Sequence, residues 1–261
     1  MADGPKNQVG LDLSARRRLV GLYGRIWRTY IAWARSLLPL AVIVFVPLGL
    51  VHAIPVHVEA TSIDFDTGLK AFGAMLALLL LTMTGLLGEI FYTGAVAIAL
   101  THPHGGEPPP LREIARTIDY RTLIAVDLIF GVLVALGLIT LVVPGLLAFV
   151  YLGLAAPVVE IEHRGVRGAL ARSVRLVRGR FWFVLLALLP IEIASDAIGS
   201  VATHLIYGLF GDSLIAGWFT DTASNIVLTP FYAVAAVLLT LDLIAEKDGA
   251  TPRLHSTPAG S

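Results

Sequence analysis

This chain is a series of long apolar runs, separated by short stretches that carry nearly all of its positive charge. A membrane-spanning helix needs about 20 mainly apolar residues to cross about 30 Å of hydrocarbon. Six stretches qualify: residues 37–52, which helical residues from about 31 bring to full length, and then 72–100, 122–143, 146–161, 181–207 and 223–245. Composition agrees with this reading. Hydrophobic residues make up 56% and charged residues 15% of the chain, and mean hydropathy is +0.80. A soluble domain carries about a quarter charged residues, so this chain could not coat a soluble surface. Lipid must be the solvent for much of it. Pro144-Gly145 divides an apolar stretch of about 40 residues, and the sequence predicts a hairpin there between the third and fourth spans.

Charge placement tests this layout independently, because cytoplasmic loops collect Lys and Arg. With the N-terminus inside, the basic residues fall in the N-terminal stretch (Lys6 to Arg35), in Arg112, Arg116 and Arg121, in Arg164 to Arg180, and in Lys247 and Arg253. Only Lys70 of the 19 Lys and Arg falls on an outer segment, where Glu59, Asp64, Asp66, Asp212 and Asp221 accompany it. An even number of spans satisfies this distribution, with both termini in the cytoplasm and the protein in a bacterial inner membrane. Val51-His52-Ala53 resembles a signal-peptidase site, but the charged region before it is too long for an ordinary signal. The expectation is one membrane domain over residues 14–246 between disordered tails, 1–13 and 247–261.

The order of elements repeats. Each pair of spans follows a basic stretch with helical periodicity, so the predicted fold is all-α: six transmembrane helices as three hairpins, each preceded by a cytoplasmic amphipathic interfacial helix. The clearest such helix is residues 165–181, where Leu170, Val174, Val177 and Phe181 form one stripe and Arg172, Arg175 and Arg178 another. Leu111, Ile114 and Ile118 mark a weaker one. Residues 14–33 mark a third, with Trp27, Tyr30 and Trp33 suited to the interface. Arg167, Arg172, Arg175, Arg178 and Arg180 are candidates for an anionic-lipid surface, where each basic residue contributes about 1 kcal/mol. Orientation of the chain alone would also require these charges.

Residues 143–182, VPGLLAFVYLGLAAPVVEIEHRGVRGALARSVRLVRGRFW, resemble the hallmark segment of a broad group of bacterial membrane proteins. The likeness lies in Pro-Gly, a short span, Ala156-Pro157, Glu160 or Glu162, Ala169, Arg172-Ser173, Leu176-Val177 and Gly179-Arg180. The group includes the membrane region attached to some glycerophosphodiester phosphodiesterases. Thr229-Pro230, Leu241-Asp242 and Glu246 are also similar, whereas Thr240 and Ile244-Ala245 depart from the pattern. The resemblance implies a six-helix membrane domain and no reaction, since the phosphodiesterase chemistry belongs to a separate soluble barrel.

Ionisable residues inside spans are costly and mark functional sites by default. Here they are all acids: Glu89, Asp127, Glu192, Asp196 and Asp242. Asp127 and Asp242 are expected to reach the interface. Glu89 and Glu192 each lie eleven residues from the cytoplasmic end of their span, about 16 Å deep at 1.5 Å per residue. Glu192, Asp196, Ser200 and His204 form one polar stripe, Asn225, Thr229 and Tyr232 a second, and Thr82, Gly85, Glu89 and Thr93 a third. Pro190 frees a backbone carbonyl one turn earlier. The three stripes should converge, making Glu89, Glu192, Asp196, Asn225 and Tyr232 an intramembrane polar site.

The expected function is a non-enzymatic membrane protein that binds lipid or a small solute, as a transporter or an accessory subunit. The alternatives are a structural or regulatory partner whose buried acids only support packing and, third, an intramembrane lipid-headgroup enzyme using Glu89 and Glu192. The partners are membrane lipids, with anionic headgroups first, and a second copy or another membrane protein; basic segments lying against the membrane argue against nucleic acid. No cofactor is expected. With no cysteine, thiolate chemistry and cysteine metal sites are excluded. His102-Pro103-His104 beside Glu107 is read as a solvated loop, so no metal is expected, and no motif for a zinc hydrolase, phosphate loop or nucleophile elbow is present.

Overall fold

The structure, a computed structural model, describes residues 13–59, 88–89, 91–101, 109–211 and 213–249. Every regular element among them is a helix. They are α1 (Leu13–Glu59), α2 (Phe91–Thr101), α3 (Leu111–Thr117), α4 (Tyr120–Thr140), α5 (Val142–Leu152), α6 (Ala155–Glu162), α7 (Val166–Val177), α8 (Phe181–Phe210) and α9 (Leu214–Asp248). Five segments are long and apolar enough to cross a membrane: Arg17–Gly49, Tyr120–Leu138, Val142–Glu162, Phe181–Phe210 and Ile215–Asp248. The chain is a multi-pass, all-helical membrane protein. Of the second predicted span, 72–100, the structure describes 88–89 and most of α2. The predicted tails fall almost wholly outside the described residues, as do Thr82, Gly85 and the His102–Glu107 loop.

Large apolar side chains such as Ile193, Val201, Leu205, Leu209 and Ile215 are more than half exposed. That is the surface expected of helices solvated by hydrocarbon.

α1 and α9 form the central antiparallel pair. Arg25 meets Asp242, Tyr30 reaches the Val227 carbonyl, Trp218 donates to the Val46 carbonyl, and Gly49 lies against Thr222. The start of α1 and the end of α9 therefore occupy the same end of the bundle. α2 runs back along α1: Gly88 touches Phe45 and Leu48, and Tyr92 packs on Phe45 while donating to the Leu37 carbonyl. α8 pairs with α9 to make a hairpin, and α4 pairs with α5.

Three features differ from the sequence expectation. First, residues 14–33 are not a separate surface helix. α1 is one helix of 47 residues, about 70 Å at 1.5 Å per residue. Leu22 and Ile26 are buried in the bundle, and Tyr23 and Arg25 bond to α8 and α9, so this stretch is held in register with the span it leads into. Second, the break between spans three and four falls at Leu141, which is extended at φ −162°, and not at Pro144-Gly145. Pro144 is the third residue of α5, where a backbone N–H has no helical acceptor and its loss is free. Pro157 holds the same place in α6. Gly145 serves close approach instead: a Cβ there would lie 2.5 Å from Leu138 Cγ, and one on Gly137 would lie 2.5 Å from the Gly145 nitrogen. Third, the fourth span is jointed, α5 and α6 being separated by a turn at Gly153-Leu154.

α7 does form a separate amphipathic helix, but its buried face is Ala169, Arg172, Ser173, Leu176 and Val177. Arg172, expected on the polar stripe, is buried. Its guanidinium bonds Glu162 at the end of α6 (2.8 Å) and Asp248 at the end of α9. Burial works against the charge of Arg172, yet the hydrogen bonds to Asp248 and Glu162 outweigh it and raise its pKa above the ordinary arginine value. Arg164 also pairs with Glu162, and Lys247 donates to the Arg178 carbonyl at 2.9 Å, a cation placed against the carbonyl end of α7.

Candidate functional site

α8 and α9 each carry a run of small and hydroxylated residues in an otherwise apolar helix, and the two runs face each other. Between them lies a cavity of about 260 Å³. From α8 come the acids Glu192 and Asp196, with Ser195, Gly199, Ser200 and Thr203 around them. Spacings of three and four place all six on one helical face. From α9 come Ser224, Asn225, Thr229 and Tyr232. Glu89, just before α2, closes the third side. All five residues of the predicted polar site therefore line one cavity.

The convergence follows from solvation. In hydrocarbon, polar side chains turn towards other protein groups, because lipid offers them no partner. Glu192 is only partly exposed, and Thr229 and Tyr232 are buried. Glu89 lies within electrostatic reach of Glu192, Asp196 and Asp127. No Lys or Arg is among the described residues that line the cavity. Three carboxyls with no resident cation, ringed by hydroxyls and an amide, suit a ligand that is cationic or rich in hydrogen-bond donors. Among the described residues, no set of three or more His, Cys, Asp or Glu could hold a metal ion.

Some expected members lie elsewhere. Thr93 is buried, and its hydroxyl donates to the Glu89 backbone carbonyl at 2.6 Å. His204 stays off the lining, its Nδ1 2.7 Å from the Ser200 carbonyl oxygen. Asp127 does not reach the interface: it is 2% exposed, and its Oδ1 has no hydrogen-bond partner among the described residues. Asp242 sits where expected, near one end of the bundle, in a two-bond pair with Arg25 at 2.9 and 3.0 Å. That pairing was hidden in the sequence, because the two residues are 217 positions apart. Ser195, Ser224 and Thr203 were also missed as lining residues. Their signal was small polar residues at three-to-four spacing beside the acids.

Of the candidate anionic-lipid surface, Arg167, Arg175 and Arg178 are exposed on α7. Arg172 is buried and bound to two carboxylates, so it cannot serve lipid, and Arg180 pairs with Glu246.

The carbonyl that Pro190 frees is satisfied. A proline at 190 leaves the Leu186 carbonyl without its helical donor, and the Tyr23 hydroxyl of α1 donates to that oxygen at 2.7 Å, with the Ala187 carbonyl at 3.2 Å. Near Pro230 the Tyr30 hydroxyl donates to the Val227 carbonyl at 3.1 Å, the neighbour of the Ile226 carbonyl that this proline leaves without its helical donor.

No family model, no curated protein and no solved structure matches this chain.

Proposed function

We propose that this chain is a six-span, non-enzymatic membrane protein that binds a lipid headgroup or a small solute in the polar cavity between α8, α9 and residue 89. The observation that carries this reading is the meeting of Glu89, Glu192 and Asp196 on one cavity with no Lys or Arg among its described lining residues. A volume of about 260 Å³ falls just below the roughly 300 to 1,000 Å³ of drug-sized ligand sites, so it suits a headgroup or a small solute better than a whole lipid. The antiparallel α1–α9 pair, with the start of α1 and the end of α9 at one end of the bundle, supports an even number of crossings. Five segments are long enough to cross, and α2, as the end of the apolar stretch 72–100, is read as part of the sixth. The basic residues gathered at that end support a cytoplasmic location for it in a bacterial inner membrane. The likeness of residues 143–182 to the bacterial membrane group is in keeping with six helices.

Native mass spectrometry of the purified protein tests the reading. Wild type should retain a bound species of defined mass. Glu89→Gln and Glu192→Gln should lose it while melting within about 2 °C of wild type. A wild type that retains nothing, or variants that keep the species but melt much lower, would show that the acids serve only packing.

A further inference from the structure

A second, larger cavity of about 620 Å³ lies at the end of the bundle that holds the start of α1, the start of α8 and the end of α9. Its walls carry four arginines, Arg18, Arg25, Arg28 and Arg180, and two acids, Asp242 and Glu246. The acids are committed. Asp242 holds Arg25 through two bonds, at 2.9 and 3.0 Å, and Glu246 holds Arg180. Arg18 and Arg28 have no acidic partner among the described residues; the one bond from the Arg28 side chain is Nε to the Gly24 carbonyl of its own helix, at 3.2 Å. The cavity thus presents an excess of two positive charges, with two guanidinium groups free to take an anion.

The rest of the wall is apolar: Leu22, Phe183 and Leu243. Trp27 and Trp182, each more than half exposed, stand close by on α1 and α8, at positions suited to the membrane interface. Guanidinium groups bind phosphate oxygens through paired N–H donors. A pocket made only for a free anion would have no use for such an apolar wall.

We infer that this pocket binds the phosphate of an anionic phospholipid, with Arg18 and Arg28 on the phosphate, the Arg25–Asp242 pair as a fixed side wall, and Leu22, Phe183 and Leu243 against the glycerol and first methylenes. This site is separate from the acid-lined cavity and takes a ligand of opposite charge. It shares with the proposed function only the reading that this end of the bundle lies at headgroup depth.

The test titrates protein in phosphatidylcholine nanodiscs with short-chain phosphatidylglycerol and, in a parallel arm, with inorganic phosphate. At about fivefold for each basic residue lost near such a surface, the Arg18→Gln/Arg28→Gln double variant should bind phosphatidylglycerol roughly thirtyfold more weakly. Arg116→Gln, at an exposed arginine on α3 away from this pocket, should change it less than twofold. Asp242→Asn, which removes an opposing charge and frees Arg25, should tighten binding by about fivefold, a gain that misfolding could not produce. Glu89→Gln should leave this affinity unchanged whatever it does to the acid-lined cavity. Equal losses for Arg116→Gln and the double variant would reduce the effect to general surface attraction. Inorganic phosphate binding as tightly as phosphatidylglycerol would make this a soluble-anion site. No binding of phosphatidylglycerol, or no gain from Asp242→Asn, would overturn the inference.

Discussion

Tyr23→Phe removes one oxygen atom and keeps the ring, so it isolates what the Tyr23 hydroxyl does for α8. That hydroxyl lies 2.7 Å from the Leu186 carbonyl oxygen, which lacks its helical donor because residue 190 is proline. Without the hydroxyl, a backbone carbonyl is orphaned in a low-dielectric surrounding, at a cost of about 1–3 kcal/mol. Hydrogen bonds measured between membrane helices average lower, at about 0.6 and up to about 1.7 kcal/mol. The expected loss is therefore about 1–2 kcal/mol. A double-mutant cycle in detergent-solubilised protein, read as unfolding free energy in an SDS titration, makes the reasoning specific. In a Pro190→Ala background the residue-190 N–H again reaches the Leu186 carbonyl, so Tyr23→Phe should then cost less than about 0.5 kcal/mol. A loss that is the same in both backgrounds would show that the hydroxyl does not stand in for the missing amide.

Gly137→Ala puts a methyl 2.5–2.9 Å from the Gly145 and Pro144 backbone, where an ordinary carbon contact is about 3.5–4.0 Å. It should cost about 1–3 kcal/mol, whereas Gly208→Ala, with nothing within 4 Å, should be neutral or slightly stabilising; equal melting temperatures would refute the close approach. Arg172→Ala should lower stability by about 1.5–3 kcal/mol, because it removes the buried guanidinium that joins α6 to α9 while Glu162 keeps Arg164, and trypsin should then cut α7 faster in the folded protein. Asp119 caps α4 by accepting the Thr122 N–H at 3.2 Å, and its hydrogen bonds from Thr122 hold its carboxyl below the ordinary aspartate value. A depressed folded pKa gives stability that is present above the unfolded value and lost as pH falls through the folded one. Asp119→Ala should therefore cost about 1 kcal/mol at neutral pH and much less in strong acid, which melting curves at neutral and strongly acidic pH would check.

Much of this was legible in the residues because lipid enforces simple rules. Apolar length marked the spans, and the need to hide polar groups from hydrocarbon brought Glu89, Glu192, Asn225 and Tyr232 to one cavity, which the exposed Asp196 also lines. Helical spacing identified that face without knowledge of the neighbours. It failed on α7, where Arg172 has the same spacing as an exposed arginine. Only the ends of α6 and α9 supply the carboxylates that make its burial tolerable.

Other features depended on contacts between residues far apart in the chain. Pro144 looked like a turn and is the third residue of a helix, because a proline there sacrifices no hydrogen bond. The first amphipathic stretch looked like a surface helix and is continuous with its span, because Leu22, Tyr23, Arg25 and Ile26 find partners on α8 and α9. The apolar runs thus marked which segments are long enough to cross a membrane and which groups must avoid lipid. Which acids are paired, which are left facing a cavity, and where four arginines come together were decided by helix packing, since a side chain's partner across the bundle leaves no mark on local sequence.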